Sequence, residues 1–203
     1  MGEKTLPIIT INRQYAAYGR SVAARLSEKL GIPYYDKDFI RKAVEQSGYS
    51  YEEIEQDGEA MSGPGRLFND LMNATVGSYP DIYSEIFLAQ KNVIFELAKS
   101  PCIIVGRCAD FVLQEAGIPS FDIYLYADIE KRRQRASELE EAKGKNLDKY
   151  IAKRDAARNN YYKHYTGRDM DNCHNFNICI DMGSVSIDTC VDILLQAIRG
   201  VQK

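Results

Sequence analysis

Arg13, Arg20, Arg107, Arg154 and Arg158 are the residues of this sequence best suited to chemistry. A guanidinium meets a phosphate or carboxylate through two parallel hydrogen bonds and stays charged at any physiological pH. Arg13 closes an apolar run, IITINR, and Arg20 opens an amphipathic stretch, with the loop Gln14–Ser21 between them. A strand, a short loop and a helix in that order aim backbone N–H groups and a helix N-terminus at an anion. Gly19 supplies the loop with one glycine, and Tyr18 can crowd or stack over a ligand. Arg107 follows a second apolar run, CIIVGRCAD, with Asp110 three residues on. Arg154 and Arg158 are spaced i and i+4, so they share one helix face. Arginines that close over a transferring phosphoryl group stabilise its charge in a water-poor site. Arg132 and Arg135 are weaker candidates of the same kind.

Each of these residues also has a structural reading. The loop could be a plain strand-to-helix turn, and Arg107 could bridge to Asp110. The basic helices could serve solubility alone. Asp36 follows Tyr34-Tyr35 and can cap the next helix. Asp128 and Asp181 follow strands and can cap helices or touch Mg²⁺. Tyr161, Tyr162 and Tyr165 are read as packing residues rather than base-stacking ones. His164 and His174 have no nucleophile or metal partner in sequence and are read as structural or exposed.

The elements that must position these groups alternate. Pro7–Asn12 reads as a strand buried on both faces. From Ser21, apolar residues at Val22, Ala23, Leu26 and Leu30 predict a helix, with Gly31 at its C′ position and Pro33 as a stop. Tyr34-Tyr35 is a short strand. The next helix turns Phe39, Ile40, Ala43 and Val44 inward. Residues 47–80 read as short helices with mobile joints. A long helix over Asp81–Ser100 offers Ile82, Ile86, Ala89, Val93, Phe95 and Leu97 to the core. Strands at Cys102–Val105, Phe121–Tyr126 and Phe176–Asp181 alternate with helices at Arg107–Ala116, from Asp128 to about Glu141, at Leu147–Tyr165 and at Ser186–Ile198. Such alternation predicts an α/β fold with helices on both faces of a parallel sheet. Ligands in such folds bind at the carboxyl ends of the strands.

Composition sets the outer bounds. The chain has 203 residues, 45% hydrophobic and 27% charged, enough for one sizeable core. No apolar run approaches the length of a membrane span. The start lacks the pattern of a signal peptide, and Leu6 stands where myristoylation needs Ser or Thr. Five cysteines without Cys-x-x-Cys spacing are expected to be buried free thiols in a reducing compartment, so a cytoplasmic location is expected. The net charge of −3 hides an asymmetry: residues 131–168 hold 12 Lys or Arg against 5 Asp or Glu. That balance suggests a local anion site, with no nucleic acid and no membrane as partner.

Several segments together resemble a known family. LSEKLGIPYYD, IIVGRCAD, KRDAARNNYYKHYTG and NFNICID are similar to the cytidylate-kinase-like family, a branch of the P-loop nucleoside monophosphate kinases. The resemblance covers nearly the whole chain. It implies a three-layer sandwich on a five-stranded parallel sheet, with core 1–35, 101–127 and 169–203. It also implies an NMP-binding insertion, 36–100, and a helical lid, 128–168. The implied reaction moves the γ-phosphoryl of ATP, with Mg²⁺, to a nucleoside monophosphate such as CMP.

Under that resemblance, Arg13, Tyr18, Gly19, Arg20, Ser21 and Arg132 bind the donor. Asp36, Arg107 and Asp110 bind the acceptor, Arg20, Arg154 and Arg158 act in catalysis, and Ser21 reaches the metal. The loop departs from the G-x-x-x-x-G-K-[ST] pattern in lacking its lysine. One register places Gly19-Arg20-Ser21 on Gly-Lys-Ser. Counting back without gaps from the LG and YYD residues places Gly19 on the lysine itself, and Arg13 or Arg20 could then supply the charge. Where family members show Gly-Ser-Gly-Gly, this chain has Ala16-Ala17-Tyr18-Gly19, which makes positive φ costly. No acidic residue ends the 103–105 strand. These departures leave open a non-catalytic nucleotide or phosphate binder, and a kinase for a non-nucleotide acceptor. A homo-oligomer is also left open, with residues 47–100 as the interface.

Overall fold

The computed structural model describes residues 6–45, 48 and 82–200. Five strands form one sheet: β1 (Ile8–Arg13), β2 (Tyr34–Tyr35), β3 (Ile103–Val105), β4 (Ser120–Tyr126) and β5 (Ile178–Asp181). The helices are α1 (Gly19–Leu30), α2 (Lys37–Glu45), α3 (Ile82–Leu97), α4 (Ala109–Glu115), α5 (Ile129–Ser137), α6 (Leu147–Thr166) and α7 (Ile187–Gly200). Short 3₁₀ turns occupy Glu140–Ala142 and Cys173–Asn175. The strand order is β2-β3-β1-β4-β5, and every pairing is parallel. The expected five-stranded α/β sandwich is therefore the observed one.

β1 lies at the centre because its apolar run can be buried on both faces. Ile9 pairs with Ile103 on one side and Phe121 on the other. Ile9 and Ile11 face α1 and α7, where Val22, Leu26, Val191 and Leu194 close one core. Ile8 and Ile104 face α2, α3 and α4, meeting Ile40, Ile86, Ile94 and Val112. Tyr124 stacks on Phe176 with ring centroids 5.1 Å apart, beneath the C-terminal half of α6. Burial of such side chains contributes about 1.5–3 kcal/mol each.

The helix signals act where the sequence placed them. Gly31, at φ 67°, ends α1 and donates its N–H to the Ser27 carbonyl at 2.9 Å. Asp36 caps α2, accepting from the Asp38 and Phe39 amides at 3.0 and 3.2 Å. Asp128 caps α5 through the Lys131 amide at 2.9 Å, and Asp181 accepts from the Gly183 amide and the Ser184 hydroxyl.

Other expectations shift. Phe39 is 45% exposed rather than inward. Its ring leans on Tyr35 instead, with ring centroids 4.6 Å apart. Ile94, absent from the expected core positions of α3, is fully buried. The single helix expected from Asp128 to about Glu141 breaks after Ser137. There the chain turns so that Leu139 can pack beside Tyr15, Ala136 and Ile151. Of residues 47–80, expected as short helices, all but Gly48 lie outside the described residues, as does the Ile82 side chain.

Candidate functional site

The site forms where β1 and β3 end. The chain leaves β1 at Arg13 and turns through Gln14–Tyr18 before α1 begins. That turn is held from several directions. The Gln14 amide donates to the Leu125 carbonyl at 3.0 Å, and the Gln14 side-chain oxygen accepts from the Ala127 amide at 3.1 Å. The Tyr15 amide donates to Asp155 of α6 at 2.7 Å. Within it, Ala16 and Tyr18 sit at φ 60° and 61°, the left-handed region. A residue with a side chain loses about 1–2 kcal/mol in that region. Strain of this kind persists where surrounding contacts over-determine it, and it clusters at functional sites.

The turn leaves the N-terminus of α1 without a side-chain cap, so its first amides are open to an anion. Over it lies a cavity of ≈ 400 Å³. Arg13, Arg20, Lys37, Arg41, Arg135, Arg154 and Arg158 line this cavity, with Asp38 and Glu141 as its carboxylates. Like charges gathered this way raise the energy of the protein until an anion joins them. Burial lowers the Arg13 guanidinium well below its usual value, with Arg158, Arg20 and Arg107 adding to the shift and Asp36 opposing it. Burial and Arg154 lower Arg158 to about 10.

Tyrosine faces hold the arginines in place. The Arg135 guanidinium lies 5.1 Å from the Tyr18 ring centre. Arg158 and Arg154 lie 5.4 and 5.8 Å from that of Tyr15. Tyr15 is buried, touches Tyr150 edge to face, and donates its hydroxyl to Glu141 at 3.3 Å. Arg158 also donates to the Arg13 carbonyl at 3.3 Å.

The expected site residues divide on this geometry. Arg13, Tyr18, Gly19, Arg20, Ser21, Arg154 and Arg158 share the cavity. Arg20 is partly committed there: its Nε meets Asp36 at 2.9 Å and its Nη2 meets Asp38. Asp36 therefore caps α2 and steers Arg20 at once. Arg132 is a correction, because it does not line the cavity. Its Nε donates to the Ala127 carbonyl at 3.1 Å and its Nη1 pairs with Asp155, so it fastens α5 to α6 instead of facing a donor.

Arg107 stands apart, in a turn where Gly106, Arg107 and Cys108 all have positive φ, at 81°, 59° and 55°. Its guanidinium lies 5.3 Å from the Tyr161 ring centre. Asp110 is buried, and Tyr162 donates to it at 2.6 Å. Tyr161 donates to Gln90 of α3 at 2.9 Å, and Tyr165 stacks on Phe87 at 3.9 Å. These three tyrosines thus pack α6 against α3 and α4, as read from the sequence. His164 and His174 are exposed. Among the described residues no group of three His, Cys, Asp or Glu side chains could hold a metal, and no cysteine is in a disulfide. No helix among them is long and apolar enough to cross a membrane.

Sequence reading missed Lys37, Arg41, Tyr15, Glu141, Tyr150 and Asp155. Lys37 and Arg41 carried a findable signal, since i and i+4 spacing puts both on one face of α2.

Asp110 allows a stability test. Burial raises its carboxyl above the ordinary value, against hydrogen bonds from Tyr162 and Asn12. A raised carboxyl favours the fold while protonated, and that contribution is lost as pH rises through the folded value. Asp110→Asn should therefore melt higher than wild type at pH 8, and the gap should close near pH ~4, the ordinary carboxyl range. A constant gap across a pH series of thermal melts would exclude this origin.

A family model described as the cytidylate kinase-like family matches residues 8–184. The chain belongs to this family. No curated protein matches it. A solved structure of an uncharacterized protein from Eubacterium ventriosum is 23% identical, covering 96% of this chain and 99% of that one, with a TM-score of 0.72. Shikimate kinase from Bacteroides thetaiotaomicron is 12% identical over 96% and 99%, with a TM-score of 0.58. A gluconokinase from Sinorhizobium meliloti is 12% identical over 97% and 94%, with a TM-score of 0.52. At these identities the likeness is one of fold.

Proposed function

We propose that this protein is a kinase that moves the γ-phosphoryl group of ATP to a nucleoside monophosphate, with CMP as the first acceptor to test. The observation that carries the reading is the cationic cavity over the uncapped N-terminus of α1. An acceptor phosphate oxygen attacks the γ-phosphorus in line. The bond to the β-phosphate oxygen breaks, and ADP leaves with the electron pair. The acceptor is a dianion above its second pKa of about 6, so no protein base is needed. The work left to the protein is positioning and charge.

In this reading the amides at the start of α1, with Arg13 and Ser21, hold the donor phosphates. Arg20 joins them by exchanging Asp36 and Asp38 for phosphate oxygens. Arg107 holds the acceptor phosphate from the β3 turn, with Asp36 and Asp110 beside it. The α5–α6 unit acts as the lid that brings Arg154 and Arg158 over the transferring group. The Ser21 hydroxyl makes no hydrogen bond among the described residues, so it suits a Mg²⁺ carried in on the nucleotide. Bound there, Mg²⁺ would supply neutralisation of donor phosphate charge. The protein works as a soluble cytoplasmic enzyme.

Two observations favour a second reading, a non-catalytic nucleotide binder. Asp155 already occupies the Tyr15 amide, and Ala16 and Tyr18 hold left-handed backbone without glycine. Calorimetry with MgATP, alone and with CMP, separates the two when joined to an assay of ADP release. The acceptor panel covers nucleoside monophosphates, shikimate and gluconate. Micromolar ATP binding that tightens with CMP, and ADP release with it, is the expected result. Saturable binding without release for any acceptor would establish the second reading. Release with a sugar or shikimate alone would move the acceptor class.

A further inference from the structure

We propose that Arg13, from the end of β1, takes over the place and the charge of the loop lysine that this chain lacks. The proposal rests on the donor-binding reading above and names the residue that makes it workable. A Cβ built on Gly19 would lie 2.9 Å from Arg13 Cγ, 3.1 Å from Cδ and 3.4 Å from Nε. Contacts under 3.0 Å are ones that real Cβ atoms do not make. The Arg13 stem thus runs through the space where a side chain at position 19 would begin.

Gly19 has no need of glycine for its backbone, because its φ is not positive. Only the Arg13 side chain requires it. Further out, a Cβ on Gly106 would lie 2.4 Å from Arg13 Nη1. One side chain therefore reaches from the start of α1 to the β3 turn that carries Arg107, between the donor and acceptor ends of the site. In the ungapped register Gly19 is the lysine position. Strand residue 13 has become the cation and helix residue 19 the vacancy, an exchange of side chains across one turn.

The surroundings ask for an anion at this point. Arg13 lines the cavity, and no hydrogen bond or ion pair holds its guanidinium among the described residues. The charges nearest in effect are those of Arg158, Arg20 and Arg107, with Asp36 as the opposing carboxylate. A phosphate at the guanidinium would satisfy it and quiet the repulsion among all four arginines. A structural arginine would instead be paired with a carboxylate, as Arg132 is with Asp155.

The test compares Arg13→Ala, Arg13→Gln, Gly19→Lys and the exchanged double variant R13G/G19K. Arg25→Ala, on the outer side of α1, is the control. Calorimetry measures MgATP and inorganic tripolyphosphate, and thermal melts are recorded in anion-free buffer. Both Arg13 variants should lose affinity for each ligand by about a hundredfold. They should also melt no lower than wild type without anion, because a repelled charge has gone. Gly19→Lys alone should lose affinity to a similar extent by colliding with Arg13. R13G/G19K should recover to within about tenfold of wild type. Arg13→Gln with wild-type affinity, or Gly19→Lys without loss, would overturn the proposal. Wild type binding tripolyphosphate through Arg13 while showing no turnover would leave the exchange standing and remove the kinase reading. Turnover by wild type with full tripolyphosphate affinity in Arg13→Gln would do the reverse, and no binding by wild type would overturn both.

Discussion

On the proposed kinase reading, Arg158→Ala is expected to slow phosphoryl transfer to CMP by about a thousandfold or more, with little loss of thermal stability. Arginines that meet the charge of a transferring phosphoryl group account for effects of about 10³–10⁵ in turnover. Arg158 is placed for that role by its hydrogen bond to the Arg13 carbonyl and by the Tyr15 face. It is a poor stabiliser of the fold itself. Burial and Arg154 bring its guanidinium down to about 10. A base depressed by folding penalises the fold at every pH below that value, and the penalty fades only as pH rises past it. Removing the charge therefore relieves the fold at neutral pH while disabling the reaction. Arg158→Lys should keep part of the rate, since charge survives but the planar fork does not. ADP-release kinetics beside melting curves check both halves. Retention of a tenth or more of wild-type turnover in Arg158→Ala would remove Arg158 from the transition state.

Asp155→Ala is expected to have the opposite signature, a large loss of stability. Asp155 joins three parts of the protein: it accepts the Tyr15 amide with one oxygen and pairs with Arg132 through the other. Arg132 is buried and also donates to the Ala127 carbonyl. Without Asp155 a buried guanidinium loses its counter-charge, a change that costs about 3–5 kcal/mol. For a chain of this size that corresponds to a fall of roughly 6–20 °C in melting temperature. Asp155→Asn should fall less, because its side-chain oxygen can still accept the Tyr15 amide. A melting temperature within a degree or two of wild type in Asp155→Ala would show that the α5–α6 unit is held on the loop by other contacts.

Much of the fold was legible because its signals are local. Apolar runs flanked by Gly, Pro and Asp placed each of the five strands within two residues of their observed ends. Gly31 and the two capping aspartates, Asp36 and Asp128, did what their chemistry predicts. Phe39 was misplaced because helical periodicity gives the apolar face of α2 but not its width. The break after Ser137 was missed because nothing in SELEE forbids a continuous helix up to the turn expected at AKGKN. The turn arises from what Leu139 and Ala142 meet in three dimensions.

The candidate site was legible in its cations and illegible in their partners. Arg132, Arg154 and Arg158 look alike in sequence. In the structure two face the cavity and one is fastened to Asp155. Arg13 and Arg20 were equal candidates for the missing lysine's charge. The structure separates them, since Arg20 is held by Asp36 and Asp38 while Arg13 crosses Gly19 toward Gly106.

The sequence by itself determined the strand and helix alternation, the parallel α/β class and the family. It also placed basic groups at the ends of strands. Those properties follow from side-chain burial and backbone preference within a few residues. Only the tertiary structure decided which charges converge and which cancel. The contacts that matter join Tyr15 to Asp155 across 140 residues and Arg13 to Arg158 across 145. At such separations proximity comes from how the helices pack on the sheet, and no local pattern of residues encodes it.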